Sequence, residues 1–214
     1  VLLECISTSL VASEDALRLA AVDALLEVSP QPDKQVIDLL SSRLEDAHRD
    51  VRMAAGSALA QVVPSGAAGK DARAMAIEAV VMRLSAAEDG SREAALQALA
   101  KVANVGDDDA LAAVKTSLQD SSAVVRRGAL QALSRLGDGH HDELAAAEPL
   151  MQADSDAKVR LAAKSVLDQF AVRKLPKDGG NAPEERQSEA PARSGLGSWL
   201  GCACRHRVSA NVAG

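Results

Sequence analysis

Aromatic side chains are nearly absent from this sequence. Its 214 residues include one Phe, one Trp and no Tyr, so aromatic residues make up 1% of the chain. Most β-sandwich cores depend on large aromatic and β-branched side chains, so this composition argues against that class. Apolar residues still account for 47% of the chain, and 43 residues are Ala, which has the highest helix propensity. The composition therefore favours helices that pack closely through small side chains.

Long apolar runs and a cysteine framework are also missing. No apolar run reaches the ~20 residues that a membrane-spanning helix needs. Residues 1–12 lack the basic start of a secretory signal peptide. The three cysteines, Cys5, Cys202 and Cys204, are an odd number and too few for a disulfide-stabilised fold. We therefore expect an intracellular, cytoplasmic protein with reduced thiols.

The charge is acidic overall and unevenly distributed. The formal net charge is −6, but residues 171–214 carry +3, which leaves −9 on residues 1–170. An acidic body repels phosphate backbones, so we expect no nucleic-acid partner.

Arginines recur through the first 170 residues at intervals of 34, 40, 34 and 34 residues, at Arg18, Arg52, Arg92, Arg126 and Arg160. Small or apolar residues follow each arginine at offsets of 3, 6, 7 and 10, which is the spacing of one stripe of a helix. Apolar residues also lie eight and twelve positions before the first four arginines, on a preceding helix. The period therefore predicts five helix pairs.

We predict ten helices from this pattern, at residues 1–11, 15–28, 33–45, 48–63, 71–87, 91–104, 108–119, 123–136, 142–153 and 157–170. The fifth unit departs from the others, because Glu148 and Gln152 occupy its apolar-pair positions. Pro149 would also interrupt the hydrogen bonds of that helix unless it lay in the first turn. We expect the first helix of this unit to be shifted or irregular.

Three segments share an Asp followed five and six residues later by Val-Arg: Asp46–Arg52, Asp120–Arg126 and Asp154–Arg160. Units of this kind resemble HEAT repeats, especially the short class found in phycobilisome lyases. The resemblance covers residues 1–170 and implies an all-α solenoid of about five helical hairpins. Its repeats would span about 1–29, 33–64, 71–105, 108–137 and 141–170. Residues 171–214, rich in Gly, Pro, Ser and charge, are predicted to form a disordered tail.

The resemblance also implies a role for the arginine column. In HEAT proteins the arginine at this position pairs with aspartates in the turns and ties neighbouring repeats together. We therefore expect a structural ladder made of Arg18, Arg52, Arg92, Arg126 and Arg160 with Asp46, Asp120 and Asp154.

The outer face of the second helices is the candidate binding surface, and the resemblance places it on the concave side. Residues five and nine positions after each arginine lie opposite the apolar stripe: Asp23, Glu27, Ser57, Gln61, Gln97, Lys101, Gln131, Arg135, Ser165 and Gln169. This face runs from acidic through neutral to basic along the array. We select Gln97, Lys101, Gln131 and Arg135, with Ser57 and Gln61, as the candidate partner-binding residues. A merely solvated face is the alternative.

Few residues suggest a catalytic or metal-binding site. His140–Glu143 is the one cluster of metal-ligand types in the body, and it is more typical of a solvated turn that caps the next helix. No Ser/His/Asp set or phosphate-binding loop is present. In the tail, Cys202 and Cys204 could be acylated, or could bind a metal together with His206, but an unstructured terminus is the favoured interpretation. We expect no catalytic residue, metal, cofactor or small-molecule substrate.

The predicted function is a non-catalytic scaffold or adaptor that binds a protein partner along the second-helix face. The alternative is a HEAT-repeat enzyme or enzyme accessory, of the bilin-lyase or deoxyhypusine-hydroxylase-like class, and it rests on the resemblance alone. Because the first helix would leave its outer side uncovered, we also expect further repeats upstream in the complete protein.

Overall fold

The structure is a computed structural model that describes residues 2–28, 33–63 and 69–174. Within these ranges it contains α-helices and short 3-10 turns and no strand. The helices are α1 (Leu2–Ser9), α2 (Asp15–Val28), α3 (Lys34–Ser42), α4 (Arg49–Val62), α5 (Lys70–Met82), α6 (Asp89–Val102), α7 (Asp108–Ser117), α8 (Ala123–Leu136), α9 (His141–Ala153) and α10 (Ala157–Lys174). The predicted all-α repeat fold is confirmed.

Consecutive helices pack as hairpins, and the hairpins stack side by side. The second helices of the hairpins, α2, α4, α6, α8 and α10, form one continuous packed row. The first helices contact one another less than the second helices do. The second helices therefore form the more closely packed layer of the described hairpins. None of the helices described is long and apolar enough to cross a bilayer.

The repeated columns of the sequence form the core. The alanine three positions after each arginine is buried in all five hairpins: Ala21, Ala55, Ala95, Ala129 and Ala163. The leucine seven positions after is fully buried in the first four hairpins, and Leu167 of the fifth is only half-buried. Stacking supplies burial that a single hairpin cannot achieve.

Small residues set how closely neighbouring second helices approach. A Cβ placed on Gly56 of α4 would lie 3.2 Å from Cβ of Ala98 on α6. A Cβ on Gly128 of α8 would lie 3.5 Å from Cγ of Glu93 and Cδ1 of Leu96 on α6. The high alanine and glycine content therefore serves close helix–helix packing.

The turns are stabilised by local caps. Asp33 accepts a hydrogen bond from the amide of Gln35 at 3.1 Å, and Asp107 accepts one from the amide of Ala110 at 3.0 Å, so these aspartates cap α3 and α7. Gly106 has φ +78°, a left-handed conformation that favours glycine, and its amide donates to the carbonyl of Leu136 at 2.8 Å.

The last hairpin differs from the prediction in two ways. Pro149 lies well inside α9, not in its first turn, and the helix is continuous on both sides. The buried stripe of α9 runs through Glu143, Ala147 and Leu150, so this helix is shifted in register as expected. At the other end of the last hairpin, α10 continues to Lys174, four residues into the predicted tail. The rest of that tail, with Cys202 and Cys204, lies outside the described residues.

Candidate functional site

A ladder of arginine–aspartate pairs joins successive hairpins. Arg18 pairs with Asp46, Arg92 with Asp120 and Arg126 with Asp154, each across 28 residues. In every pair Nε and Nη2 of the arginine donate to the two carboxylate oxygens at 2.7–3.0 Å. Parallel charge-assisted bonds of this kind fix orientation as well as distance. The three pairs therefore fix how the second hairpin packs on the first, the fourth on the third and the fifth on the fourth.

Each arginine also donates hydrogen bonds to the turn of its own hairpin. Nη1 of all five arginines donates to the carbonyl oxygens six and five residues earlier, at 2.6–3.3 Å. Each ladder aspartate, in turn, accepts a hydrogen bond from the amide two residues later at 2.8 Å. In Arg18, Arg92 and Arg126 one guanidinium thus joins the turn of its own hairpin to the turn of the following hairpin.

The ladder is interrupted between the second and third hairpins. Residue 86, which occupies the aspartate position there, is alanine. Arg52 keeps its bonds to the carbonyls of Asp46 and Ala47, but its Nε is buried and has no partner within the described ranges. Its Nη2 lies against Gly90, where a Cβ would be only 2.8 Å away. Arg52 is held in place without a carboxylate.

The paired groups have shifted pKa values. The hydrogen bonds from Asp46, Asp120 and Asp154 raise the pKa of Arg18, Arg92 and Arg126 above the ordinary arginine value. For Asp46 and Asp120, burial would raise the carboxyl pKa, but the arginine and amide hydrogen bonds outweigh it and lower that pKa. The pKa of Asp154 is lowered, first of all by its hydrogen bond from Arg126.

Four of the predicted partner-binding residues line one groove. Gln97 and Lys101 of α6 face Gln131 and Arg135 of α8 around a cavity of about 300 Å³. The floor of this α6–α8 groove is small and apolar, and consists of Ala100, Gly128 and Ala132. Polar groups therefore surround an apolar base, a common arrangement in binding sites.

The other two predicted residues lie on the next helix along the row. Ser57 of α4 accepts a hydrogen bond from Nζ of Lys101 at 2.9 Å, so it contacts the edge of the groove. Gln61 is exposed, and its side-chain amide donates to the carbonyl of Ser57 at 3.4 Å. Gln61 does not line the groove.

A second, larger groove lies between the first helices α5 and α7, with a cavity of about 1080 Å³. Ala74, Ile77 and Val81 line it from α5, and Ala112 and Ala113 line it from α7. The sequence did not point to it, because none of these residues lies eight or twelve positions before an arginine, the two first-helix positions that the repeat period defines. Facing small side chains at positions 74, 112 and 113 were the available signal.

The histidine cluster is used for local structure. The buried side chain of Glu143 accepts hydrogen bonds from the amides of Gly139 at 2.7 Å and His140 at 3.2 Å. His140 lies 2.8 Å from Asp138, and Asp142 pairs with Lys115 of α7. No group of three or more candidate metal ligands occurs among the residues that the structure describes.

Arg173 is a structural residue that the sequence analysis missed. Its Nη1 donates to the carbonyl of Gly137 at 2.8 Å and its Nη2 to the carbonyl of Ser134 at 3.1 Å, so α10 caps the end of α8. Its guanidinium also lies 5.6 Å from the ring centre of Phe170. Arg173 lies beyond the last repeat column, so the period carried no signal for it.

Comparison with known proteins supports the repeat assignment. Residues 77–168 match the family model described as HEAT repeats, which confirms the predicted resemblance over that range. The complex of CpcE and CpcF of phycocyanin lyase from Nostoc sp. PCC7120 has a similar fold, with TM-score 0.52 and 21% identity over 80% of this chain and 66% of that one. No curated protein matches the sequence.

Two further structures have lower TM-scores. A designed armadillo repeat protein in complex with the peptide (KR)4 aligns with TM-score 0.47 and 21% identity over 78% of this chain and 81% of that one. The archaeal HEAT-like repeats protein from Thermococcus onnurineus NA1 aligns with TM-score 0.36 and 17% identity over 80% of this chain and 87% of that one.

Proposed function

We propose that this chain, whose residues 77–168 match HEAT repeats, is a non-catalytic scaffold that binds a segment of a protein partner in the α6–α8 groove. The observation that carries the proposal is the convergence of Gln97, Lys101, Gln131 and Arg135 around one cavity. These residues were selected from the repeat period together with the resemblance to HEAT repeats. The shared cavity supports a binding surface over the alternative of a merely solvated face.

The shape of the groove suits a polypeptide segment. Stacked second helices offer a rigid surface, so a partner meets a site that is already formed. The floor at Ala100, Gly128 and Ala132 leaves room for a backbone or a small side chain. The amides of Gln97 and Gln131 can both donate and accept hydrogen bonds, as a peptide backbone requires.

The non-catalytic part of the proposal follows from where reactive side chains lie. Glu143, Asp142 and His140 are engaged in capping and ion pairs of the fourth and fifth hairpins. The α6–α8 groove holds two amides and two cations, and no carboxylate, imidazole or thiol that could act as base or nucleophile at neutral pH. This lining supports a binding role for the groove.

The test is affinity capture with a charge-reversed groove. The full chain and its Lys101→Glu/Arg135→Glu variant are used as baits in lysate from the source organism, and bound proteins are quantified by mass spectrometry. We expect a partner that the wild-type chain retains and the variant loses by at least about tenfold, since each reversal turns attraction into repulsion.

A matched control carries the same change of charge elsewhere. Arg49 and Lys158 are exposed, each in the first turn of a second helix, and neither lines the groove. The Arg49→Glu/Lys158→Glu variant should retain the partner, and circular dichroism should show all three proteins equally helical. Equal loss from both variants would contradict the assignment of the groove.

A further variant separates the two grooves. Ala112 is exposed and lines the α5–α7 groove, so Ala112→Glu places a charge there without disturbing the core. Loss of the partner from Ala112→Glu, with full retention by the Lys101→Glu/Arg135→Glu variant, would move the site to the first-helix side.

A further inference from the structure

We propose that the bound segment is bipolar, with two acidic side chains over α6 and α8 and a basic side chain over α2. This inference rests on the proposed function, because it assumes that the partner segment crosses the row of second helices at the α6–α8 groove. It adds the chemistry of the partner and the order of its charges.

The basic end of the surface is formed by Lys101 and Arg135. Both side chains are exposed, and neither pairs with a carboxylate of the described residues. The neighbouring Arg127 lies 3.9 Å from Glu93, so that pair leaves no net charge. Two cations, one on α6 and one on α8, therefore face solvent at the groove.

The acidic end is formed by Asp23 and Glu27 on α2. These residues occupy the same two repeat positions as Gln97 and Lys101 on α6, and both are exposed. No ion pair within the described ranges involves either carboxylate. Between the two ends, α4 presents the neutral Ser57 and Gln61.

The charge pattern selects a complementary partner. A segment that runs across the row meets like charge at one end if it is uniformly acidic or uniformly basic, and like-charge contacts are unfavourable. A segment with one basic and two acidic residues in the right order meets opposite charge at every position. The surface therefore favours a bipolar segment over a uniformly charged one.

The repeat geometry fixes the spacing of those charges. Packed helices lie about 8–10 Å apart. A segment in the polyproline II conformation advances about 3.1 Å per residue and returns to the same face about every three residues. From α2 to α6 is two helix steps, so the basic residue and the first acidic residue should lie about six positions apart. From α6 to α8 is one step, so the two acidic residues should lie about three positions apart.

The experiment uses labelled synthetic peptides built on a Ser/Ala/Gln background, with one Lys and two Glu. Two peptides carry the predicted spacing, one in each chain direction, and a third of equal composition places Lys between the two Glu. Fluorescence anisotropy with the full chain should give at least about fivefold tighter binding for one of the spaced peptides than for the interleaved peptide.

Charge exchange on the protein provides the decisive control. The Asp23→Lys/Glu27→Lys/Lys101→Glu/Arg135→Glu variant should prefer the peptide with one Glu and two Lys at the same spacing. The Arg49→Glu/Lys158→Glu variant should behave as the wild type. Raising the salt concentration should weaken every preferred complex, because the pairs are exposed.

Two results would overturn the inference: equal affinity for spaced and interleaved peptides, or no binding of either spaced peptide. Either result leaves the proposed function standing if affinity capture still depends on Lys101 and Arg135. If the capture also shows no dependence on them, the groove itself is wrong.

Discussion

At the scale of single residues, the break in the arginine ladder is the most informative feature. Ala86 has φ −58° and ψ 147°, and the ladder residue Asp46 has φ −61° and ψ 143°. The backbone at position 86 therefore already has the conformation that the ladder aspartate adopts. Arg52 still holds its own turn, so only the carboxylate is missing.

Replacing Ala86 with Asp should complete the ladder. The new carboxylate would accept hydrogen bonds from Nε and Nη2 of Arg52, and this would satisfy a buried donor that has no partner among the described residues. Charge-assisted bonds of this kind suggest a gain of about 1–2 kcal/mol in the free energy of unfolding. Denaturant unfolding of the two proteins measures it.

The control for this substitution is the neighbouring position. Ala87 is exposed, so Ala87→Asp adds the same charge without reaching Arg52. We expect it to change the free energy of unfolding by less than about 0.5 kcal/mol. If Ala86→Asp gives no more stability than Ala87→Asp, the contact of Arg52 with Gly90 already replaces the carboxylate.

At the scale of the helices, α9 differs from the other first helices because Pro149 lies inside it. Proline has no amide hydrogen, so the carbonyl of Ala145 loses its usual donor, and the ring crowds the preceding turn. Pro149 is exposed, so its side chain adds little to the core. Packing of Ala147 and Leu150 keeps the helix continuous in spite of the proline.

The Pro149→Ala variant should therefore be more stable than the wild type. Restoring one amide donor in a helix interior should add about 1–3 kcal/mol to the free energy of unfolding. Pro149→Gly restores the same donor with poorer helix propensity, so it should gain about 1 kcal/mol less. Thermal unfolding followed by circular dichroism would refute this if both variants melt at or below the wild-type temperature.

Much of the helical framework could be predicted from the sequence, because the same pattern of buried positions recurs in all five second helices. The bounds of α2 and α8 agree with the prediction residue by residue. The ends of the first helices agree less well, since α3 and α5 tighten into 3-10 turns at Arg43–Glu45 and Arg83–Ser85. Apolar spacing does not distinguish a tight last turn from a continued helix.

The candidate site was less predictable than the fold. The period placed Gln97, Lys101, Gln131 and Arg135 on one face, because equal offsets on equivalent helices point the same way. It could not reveal the α5–α7 groove, whose lining combines residues of two helices outside the repeat columns. The depth of a groove between two helices depends on how the helices pack in three dimensions, and it produces no periodic pattern in the sequence.

At the scale of the whole molecule, the ladder makes stability depend on pH. The pKa values of Asp46, Asp120 and Asp154 are lowered in the folded chain. Their stabilising contribution is complete above the unfolded value of about 3.9 and is lost as the pH falls through the folded values. The array should therefore unfold cooperatively in acid as several junctions weaken together.

The Asp120→Asn variant tests this dependence. It removes one titrating ladder carboxylate, so it should lower the free energy of unfolding at pH 6 and reduce the loss of stability between pH 5 and pH 3. Denaturant unfolding across that range gives both slopes. Parallel curves for the two proteins would contradict a role of Asp120 in acid sensitivity.

The proposed partner segment occupies the groove between α6 and α8. NMR of the side-chain amides can test this placement, because Gln97 and Gln131 line the groove and the exposed Gln35 and Gln119 do not. On addition of the partner recovered by affinity capture, the side-chain resonances of Gln97 and Gln131 should shift while those of Gln35 and Gln119 stay in place. Shifts confined to Gln35 or Gln119, or binding without any change at Gln97 and Gln131, would contradict the account.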